Sequence, residues 1–408
     1  MKNKLFLCLF LPRLLAAQPY DLLIKGGHII DPANRIDGIS DIAISGNKIA
    51  RLAREIDASQ AKKTVDATGL YVTPGLVDLH AHVYGYAGAL FPDDTALTAG
   101  TTTVVDAGGS GWRTFEDFKT KVVDRSKTRV LVLINIVGAG MKGPAAEDNV
   151  ADMEPVATAN KIKEHRDVIV GIKTAHFGLP GWAAIKNAVE AGRLSGTPIM
   201  VDDHIFTNTG RTTREKLLDI LRPGDMHTHS FNDRQIELVD RFTGKVQPYM
   251  FEARKRGVLF DMGHGAGSFL WPVASRALAQ GFPPDSISTD LHGQSILTVQ
   301  SDMPNCISKM MTLGMGLQEA IERSTVNPAR AIHRFPELGT LGVGSVADVA
   351  ILNLETGVFA FKDAWRKKRL GTKRLECVLT VRDGKIVYDL NGLAFPLWNT
   401  AGDYGVIE

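Results

Sequence analysis

The chain has 408 residues, 44% hydrophobic and 23% charged. That is an ordinary globular composition, long enough for a large core. Its 47 basic and 45 acidic residues leave a formal charge of +2, which argues against the electrostatic footprint of a nucleic-acid binder. Cys8, Cys306 and Cys377 are the only cysteines. They supply neither a disulfide framework nor a thiolate zinc knuckle, so any metal must rest on His, carboxylate and Lys.

Lys2 and Lys4 precede the apolar run Leu5–Leu11, and Leu14-Leu15-Ala16-Ala17 follows. A charged start, an apolar centre and a small-residue exit describe a signal peptide over residues 1–17, hence an exported protein whose mature chain begins near Gln18. Pro12 and Arg13 interrupt the apolar centre. No other run approaches the roughly 20 apolar residues of a membrane span.

From Tyr20 to Leu70 the segments are short and β-like, with a turn signal at Ser45-Gly46-Asn47. Similar segments return at the far end. Asp348–Leu352 and Glu376–Val381 read as strands, and Asp383-Gly384 reads as a hairpin turn. The two chain ends, 18–72 and 335–395, are expected to build one small β-sandwich-like domain, with a tail over 396–408.

Between 73 and 334 strands and helices alternate. Apolar runs occur at Leu76–Leu79, Thr103–Val105, Val130–Ile136, Val168–Ile172, Pro198–Val201, Met226–Thr228, Val258–Phe260 and Ile287–Ser288. Amphipathic stretches such as Trp182–Arg193, Thr213–Leu221 and Phe269–Gln280 separate them. Eight such units predict an α/β fold, a (β/α)₈ TIM-type barrel with its site at the C-terminal strand ends. An open doubly wound sheet is the alternative, but no G-x-G-x-x-G follows a strand, so a dinucleotide site has little support.

Gly75-Leu76-Val77-Asp78-Leu79-His80-Ala81-His82 is the stretch around which the rest is organised. On a strand His80 and His82 face the same side, and two imidazoles there are half a divalent metal site. Eight of the eleven histidines lie at or just past expected strand ends: His80, His82, His176, His204, His227, His229, His264 and His292. A barrel brings those ends together. Lys173 closes the apolar fourth strand, a costly place for a free ammonium. It reaches solvent, pairs with a carboxylate, or carries CO₂ as a carbamate, which a lowered pKa permits. Asp290 ends the eighth strand, where it can touch a metal and take a proton, or cap the next helix.

His-x-His on strand one, Lys on four, His on six and Asp on eight together resemble the amidohydrolase superfamily. Val72-Thr73-Pro74-Gly75-Leu76-Val77-Asp78-Leu79-His80 carries the resemblance most specifically. Leu22–Asp31 is similar to its opening strand and Gly344–Ala350 to its closing segment. Gly171-Ile172-Lys173, Arg222-Pro223-Gly224-Asp225 with Thr228-His229, and Ser288–Gly293 are similar to the amidohydrolase/deacetylase group. That group is related to dihydroorotases and hydantoinases.

The resemblance implies one or two Zn²⁺ ions. His80, His82 and Asp290 hold the more buried one, carboxylated Lys173 bridges, and His229 holds the second. The superfamily usually supplies a strand-five histidine, where this chain has Asp202 in Met200-Val201-Asp202-Asp203-His204. Asp202 is then an oxygen ligand, or a bulge brings in His204, or the enzyme uses one metal. Zinc lowers the pKa of its water to roughly 7, and Asp290 moves the proton to the leaving nitrogen or oxygen. His264 is the candidate for holding the substrate oxyanion or carboxylate, with a hydrogen bond to the barrel as the alternative. His176, His204 and His292 are expected on the substrate side. The function implied is a metal-dependent hydrolase of a small amide or ester, a deacetylase. The alternatives are a cyclic amidase or a barrel kept only for binding. The partner is a small molecule, and the sequence leaves room for a homo-oligomer.

Overall fold

The computed structural model describes residues 18–202, 214–232 and 238–402. Its centre is a parallel sheet of seven strands in chain order: Leu76–Ala81, Thr101–Gly111, Arg129–Asn135, Ile169–Ala175, Ile199–Asp202, Met226–His227 and Leu259–Phe260. The first five are buried along nearly their whole length, as expected for parallel strands covered on both faces. The second runs past its apolar sequence signal because Asp106 is held inside it. That carboxylate accepts from the Val83 and Gly109 amides at 3.0 and 2.7 Å.

The expected eighth strand is present as an extended segment rather than a regular one. Isolated parallel bridges join Asp261 to Ser286 and Ala81 to Leu291, so residues 286–291 link the two edges and close the barrel. Asp290 interrupts the ladder there with φ 47°, which breaks the extended conformation a regular strand requires.

Helices cover the outside. Ala183–Ser195 buries Ala184, Ile185, Ala188 and Ala191, a stripe at helical spacing. The Arg222-Pro223-Gly224-Asp225 motif is a brace at the opposite end from the histidines. Asp225 accepts from the Arg222 guanidinium at 2.7 Å and from the Ile199 amide at 3.0 Å.

Strands from both chain ends form one second sheet. Val349–Lys362 pairs with Tyr71–Pro74 on one side and with Lys368–Arg382 on the other. Tyr71–Pro74 in turn pairs with Tyr20–Asp31, which continues the sheet to Ile36–Ser45 and Lys48–Ala53. Ile49 and Val381 lie near opposite ends of that order yet share one apolar cluster, so the sheet curls around its own core. Asp383 and Gly384, with φ 54° and 76°, make the tight turn expected before Lys385–Asp389. Among the described residues no helix is long and apolar enough to cross a membrane.

Candidate active site

At the C-terminal ends of the barrel strands His80, His82 and Asp290 converge, all buried, with one ligand atom of each within 4.8 Å of the others. The Asp290 carboxylate lies 2.9 Å from His82 Nε2 and 3.6 Å from His80 Nε2. Lys173, fully buried, places Nζ 3.2 Å from His80 Nε2 and 3.9 Å from Asp202 Oδ2. His229 Nε2 approaches the same Asp202 oxygen at 3.2 Å. The six expected metal-site residues therefore form one connected cluster, with Asp290 joining His80 to His82 and Asp202 joining Lys173 to His229.

Hydrogen bonds behind the rings fix which nitrogen faces inward. Asp261 accepts from the Thr228 hydroxyl at 2.7 Å, so that hydroxyl accepts from His80 Nδ1 at 2.9 Å. The His80 lone pair is thereby left on Nε2, toward the cluster. His229 Nδ1 donates to the Gly263 carbonyl at 2.7 Å, which turns Nε2 toward the cluster. Outer partners that set tautomer and ring angle are what a metal-binding imidazole needs. Below them Asp78 accepts from the Thr289 amide and hydroxyl, tying strand one to the segment that carries Asp290.

The backbone is shaped to the same end. His176, His229 and Asp290 all adopt left-handed φ values, 57°, 59° and 47°, a conformation that costs about 1 kcal/mol or more at a non-glycine residue. A Cβ at Gly108 would stand 2.7 Å from Lys173 Cγ, and one at Gly265 would overlap the Asp290 carboxylate. The lysine stem and the carboxylate fit only because those positions carry no side chain. Inward-facing imidazole nitrogens, carboxylates and a buried lysine in glycine cradles fit a divalent cation.

Burial and charge set the protonation states. Desolvation, then the neighbouring Lys173 charge, lowers His80 to about 3, so the ring is neutral. Burial also lowers Lys173, against the pull of Asp202 and Asp290. For Asp290 burial acts upward but is outweighed by His80, His82 and His229, which hold the carboxyl below its usual range. Burial likewise opposes charging of His229, yet Asp202 raises it to about 9.

The other expected residues separate. His292 donates from Nδ1 to the Asp290 carbonyl at 2.8 Å, and its ring lies 6.1 Å from the His82 ring. His176 is turned between two carboxylates, Glu147 at 3.0 Å and Asp202 at 3.4 Å, rather than toward open space. His204 lies outside the described residues. His264 departs from the substrate-holding role. Its Nδ1 donates to the Gly265 carbonyl at 2.8 Å, its Nε2 meets Lys309 Nζ at 2.8 Å, and the ring stacks on Phe269. With both nitrogens engaged and no exposed surface, it is a barrel-bonded histidine.

Sequence reasoning missed Glu147, Asp261 and Tyr86. Tyr86 stacks on His82 at 4.1 Å and meets His292 edge-on at 5.4 Å. Its loop is pinned by the Gly293 amide, which donates to the Gly88 carbonyl at 2.8 Å. Only its place four residues after His82 on the first strand-end loop could have drawn attention to it.

The amidohydrolase family profile matches residues 309–388. A deacetylase of Enterococcus faecalis is 31% identical over 383 residues, covering 91% of this chain and 99% of the relative. A dihydroorotase of Aquifex aeolicus is 24% identical, covering 90% and 99%. Among solved structures, an adenine deaminase superposes with a TM-score of 0.82 at 30% identity, covering 91% of this chain and 100% of that one. A dihydroorotase gives 0.78 at 26%, covering 90% and 99%. Full-length similarity of this kind, over a barrel whose strand ends gather His80, His82, Lys173, His229 and Asp290, has one reading: the chain belongs to the amidohydrolase superfamily.

Proposed function

We propose that the chain is a deacetylase, a metal-dependent hydrolase that cleaves the acyl bond of a small amide or ester. The observation that carries this is the convergence of His80, His82 and Asp290 with Lys173 and His229 in a chain aligned almost end to end with a curated deacetylase. His80, His82 and Asp290 would hold one cation, and Asp202 and His229 a second, with carboxylated Lys173 between them. Zinc suits this set of imidazoles and oxygens. Burial favours the neutral Lys173 amine, the form that adds to CO₂ and loses a proton to become the carbamate.

When bound, the metal supplies Lewis-acid activation of water and of the scissile carbonyl. The remaining work falls to side chains. Asp290, kept ionised by its histidine neighbours, accepts the proton of the attacking water and returns it to the leaving nitrogen or oxygen. The Tyr86 hydroxyl has no hydrogen-bond partner among the described residues while its ring is clamped by His82 and His292, which suits it to donate to the acyl oxygen. His292, fixed through Nδ1, stands edge-on to the Tyr86 ring.

Opening of a cyclic amide is the second reading, favoured by the dihydroorotase relatives. The deciding experiment screens N-acetyl and O-acetyl acids against dihydroorotate and hydantoins, with metal analysis on the same preparation. Release of acetate that stops on chelation and returns with metal is expected. Turnover confined to the cyclic amides would move the assignment to the second reading.

Residues 1–17 lie outside the described residues, and their role as a signal peptide belongs to this proposal. So does division of the chain into a barrel over 73–334 and a sandwich-like unit from 18–72 and 335–395. The curled second sheet with its own core supports that division. Exported protein is expected to begin near Gln18, and N-terminal sequencing that returns Met1 would overturn export with cleavage.

A further inference from the structure

The hairpin formed by Val349–Lys362 and Lys368–Arg382 concentrates a charge that the rest of the chain lacks. Residues 362–374 hold seven basic residues and one acid, a local +6 where the whole chain carries +2. The acid, Asp363, is buried and engaged in the turn, accepting from the Trp365 and Lys367 amides at 3.0 and 2.8 Å. Arg374 pairs with Glu355 at 2.6 Å. The other six cations have no ion-pair partner among the described residues.

The two faces of the hairpin differ. Phe361 is buried, and a Cβ at Gly371 would stand 2.5 Å from Thr312 of the helix Met303–Thr312, so this face is seated on the barrel. Val358, Ala360 and Lys362 alternate with Phe359 and Phe361 and point the other way. Across the hairpin Leu370 lies opposite Ala360, and Lys368 lies opposite Lys362. Two ammonium groups directly opposite on an exposed face repel each other. Beside them apolar side chains stand in water, with Val358 82%, Leu370 60% and Trp365 56% exposed. A cavity of about 490 Å³ next to the turn, lined by Trp271, Trp365, Lys368 and Arg369 among others, continues the same mix of aromatic and cationic groups.

We propose that this hairpin is a docking surface for an anionic lipid bilayer. Lipid phosphates relieve the Lys362–Lys368 repulsion and meet the remaining cations of the turn, while Trp365, Leu370 and Val358 enter the headgroup boundary. Clusters of four to eight Lys and Arg beside apolar side chains suit such a surface. A soluble polyanion would satisfy the cations alone and leave the three apolar side chains in water. A second copy docked through the same face would set one +6 patch against another. The proposal is independent of the hydrolase reading.

The test is co-sedimentation of the full chain with vesicles of phosphatidylcholine alone and of phosphatidylcholine with an equal part of phosphatidylglycerol. A DNA duplex serves as the soluble polyanion. The full chain is used throughout, so any binding through residues 1–17 is common to every variant and drops out of the comparison. Wild type is expected to bind the mixed vesicles, to bind phosphatidylcholine alone far more weakly, and to be released in roughly 0.5 M salt, where charges are screened within a few Å. Lys362→Gln with Lys368→Gln should weaken binding about 30-fold, the loss of two near-surface cations. That double variant should melt no lower than wild type, because it removes a like-charge pair. Trp365→Ala removes no charge and should still weaken vesicle binding about 10-fold, an effect that binding through charge alone would not show. Equal binding to the two kinds of vesicle, vesicle binding unchanged in either variant, or binding of the duplex without binding of the mixed vesicles would each overturn the proposal.

Discussion

Gly265 and Asp290 fit so closely that a Cβ at position 265 would overlap the Asp290 carboxylate. The glycine sits at φ 49° and its amide donates to the Thr289 carbonyl at 2.9 Å. Gly265→Ala therefore meets two penalties, backbone strain and displacement of the carboxylate. A stability loss of about 1–3 kcal/mol is expected, with activity down about 10²-fold, since small misplacements at a reacting centre cost that much. Gly46→Ala is the control, with φ 56° and no heavy atom within 4 Å of the added Cβ. It should lose about 1 kcal/mol and keep full activity. Denaturant melts and initial rates on both variants decide it.

Lys173→Ala should abolish activity and lower bound metal, because it removes both the buried amine and the carbamate it would carry. Short carboxylic acids added in solution should restore part of the rate by filling the space beside Gly108. A fully active Lys173→Ala enzyme would remove the lysine from the mechanism.

Asp290→Asn keeps shape and one oxygen but cannot take a proton near neutrality. Metal content near normal and a rate loss of roughly 10²–10⁴-fold are expected, the range for a positioned general base. Asp202→Asn is the matched comparison and should lose the second metal first, with the rate following. Tyr86→Phe, which preserves stacking on His82, should lower kcat about 10²-fold at unchanged metal content. Stopped-assay kinetics with elemental analysis distinguishes the three patterns.

Lys309 gives a pH dependence away from the cluster. Burial lowers its pKa to about 8 from an unfolded value of 10.5. The folded state thus binds fewer protons than the unfolded state between those two values, and stability rises with pH across that window. Relative to Lys309→Met, the wild type should gain up to about 3 kcal/mol between pH 8 and 10.5. Urea melts at pH 7.5, 8.5 and 9.5 measure the difference. A flat difference would show that the ammonium carries no burial cost.

The parts of the site legible in the sequence were those encoded over a few residues. His80-x-His82 needs only a strand period, and Lys173 and Asp290 need only an apolar run that ends in a charged residue. Strand positions followed for the same reason, except residues 286–291, where the kink at Asp290 breaks the ladder. What the sequence hid depends on distant pairing. Gly263-His264-Gly265 reads as an exposed strand-end histidine, until Lys309 on the buried helix Met303–Thr312 arrives at its Nε2. Glu147 carries no signal in the sequence, and nothing near it announces His176. Asp261 carries no signal of its own, and only the Thr228 hydroxyl between it and His80 assigns it to the layer behind the cluster.

The second sheet carries a consequence for biosynthesis. Tyr71–Pro74 has one flank on Tyr20–Asp31 and the other on Val349–Lys362. As the chain leaves the ribosome, the first partner is present at once and the second only after the whole barrel has emerged. For that interval an apolar strand edge stands open, the kind of template on which nascent chains pair with one another. A chain cut short before Val349 would keep that edge permanently, so truncation should produce aggregation rather than a soluble barrel.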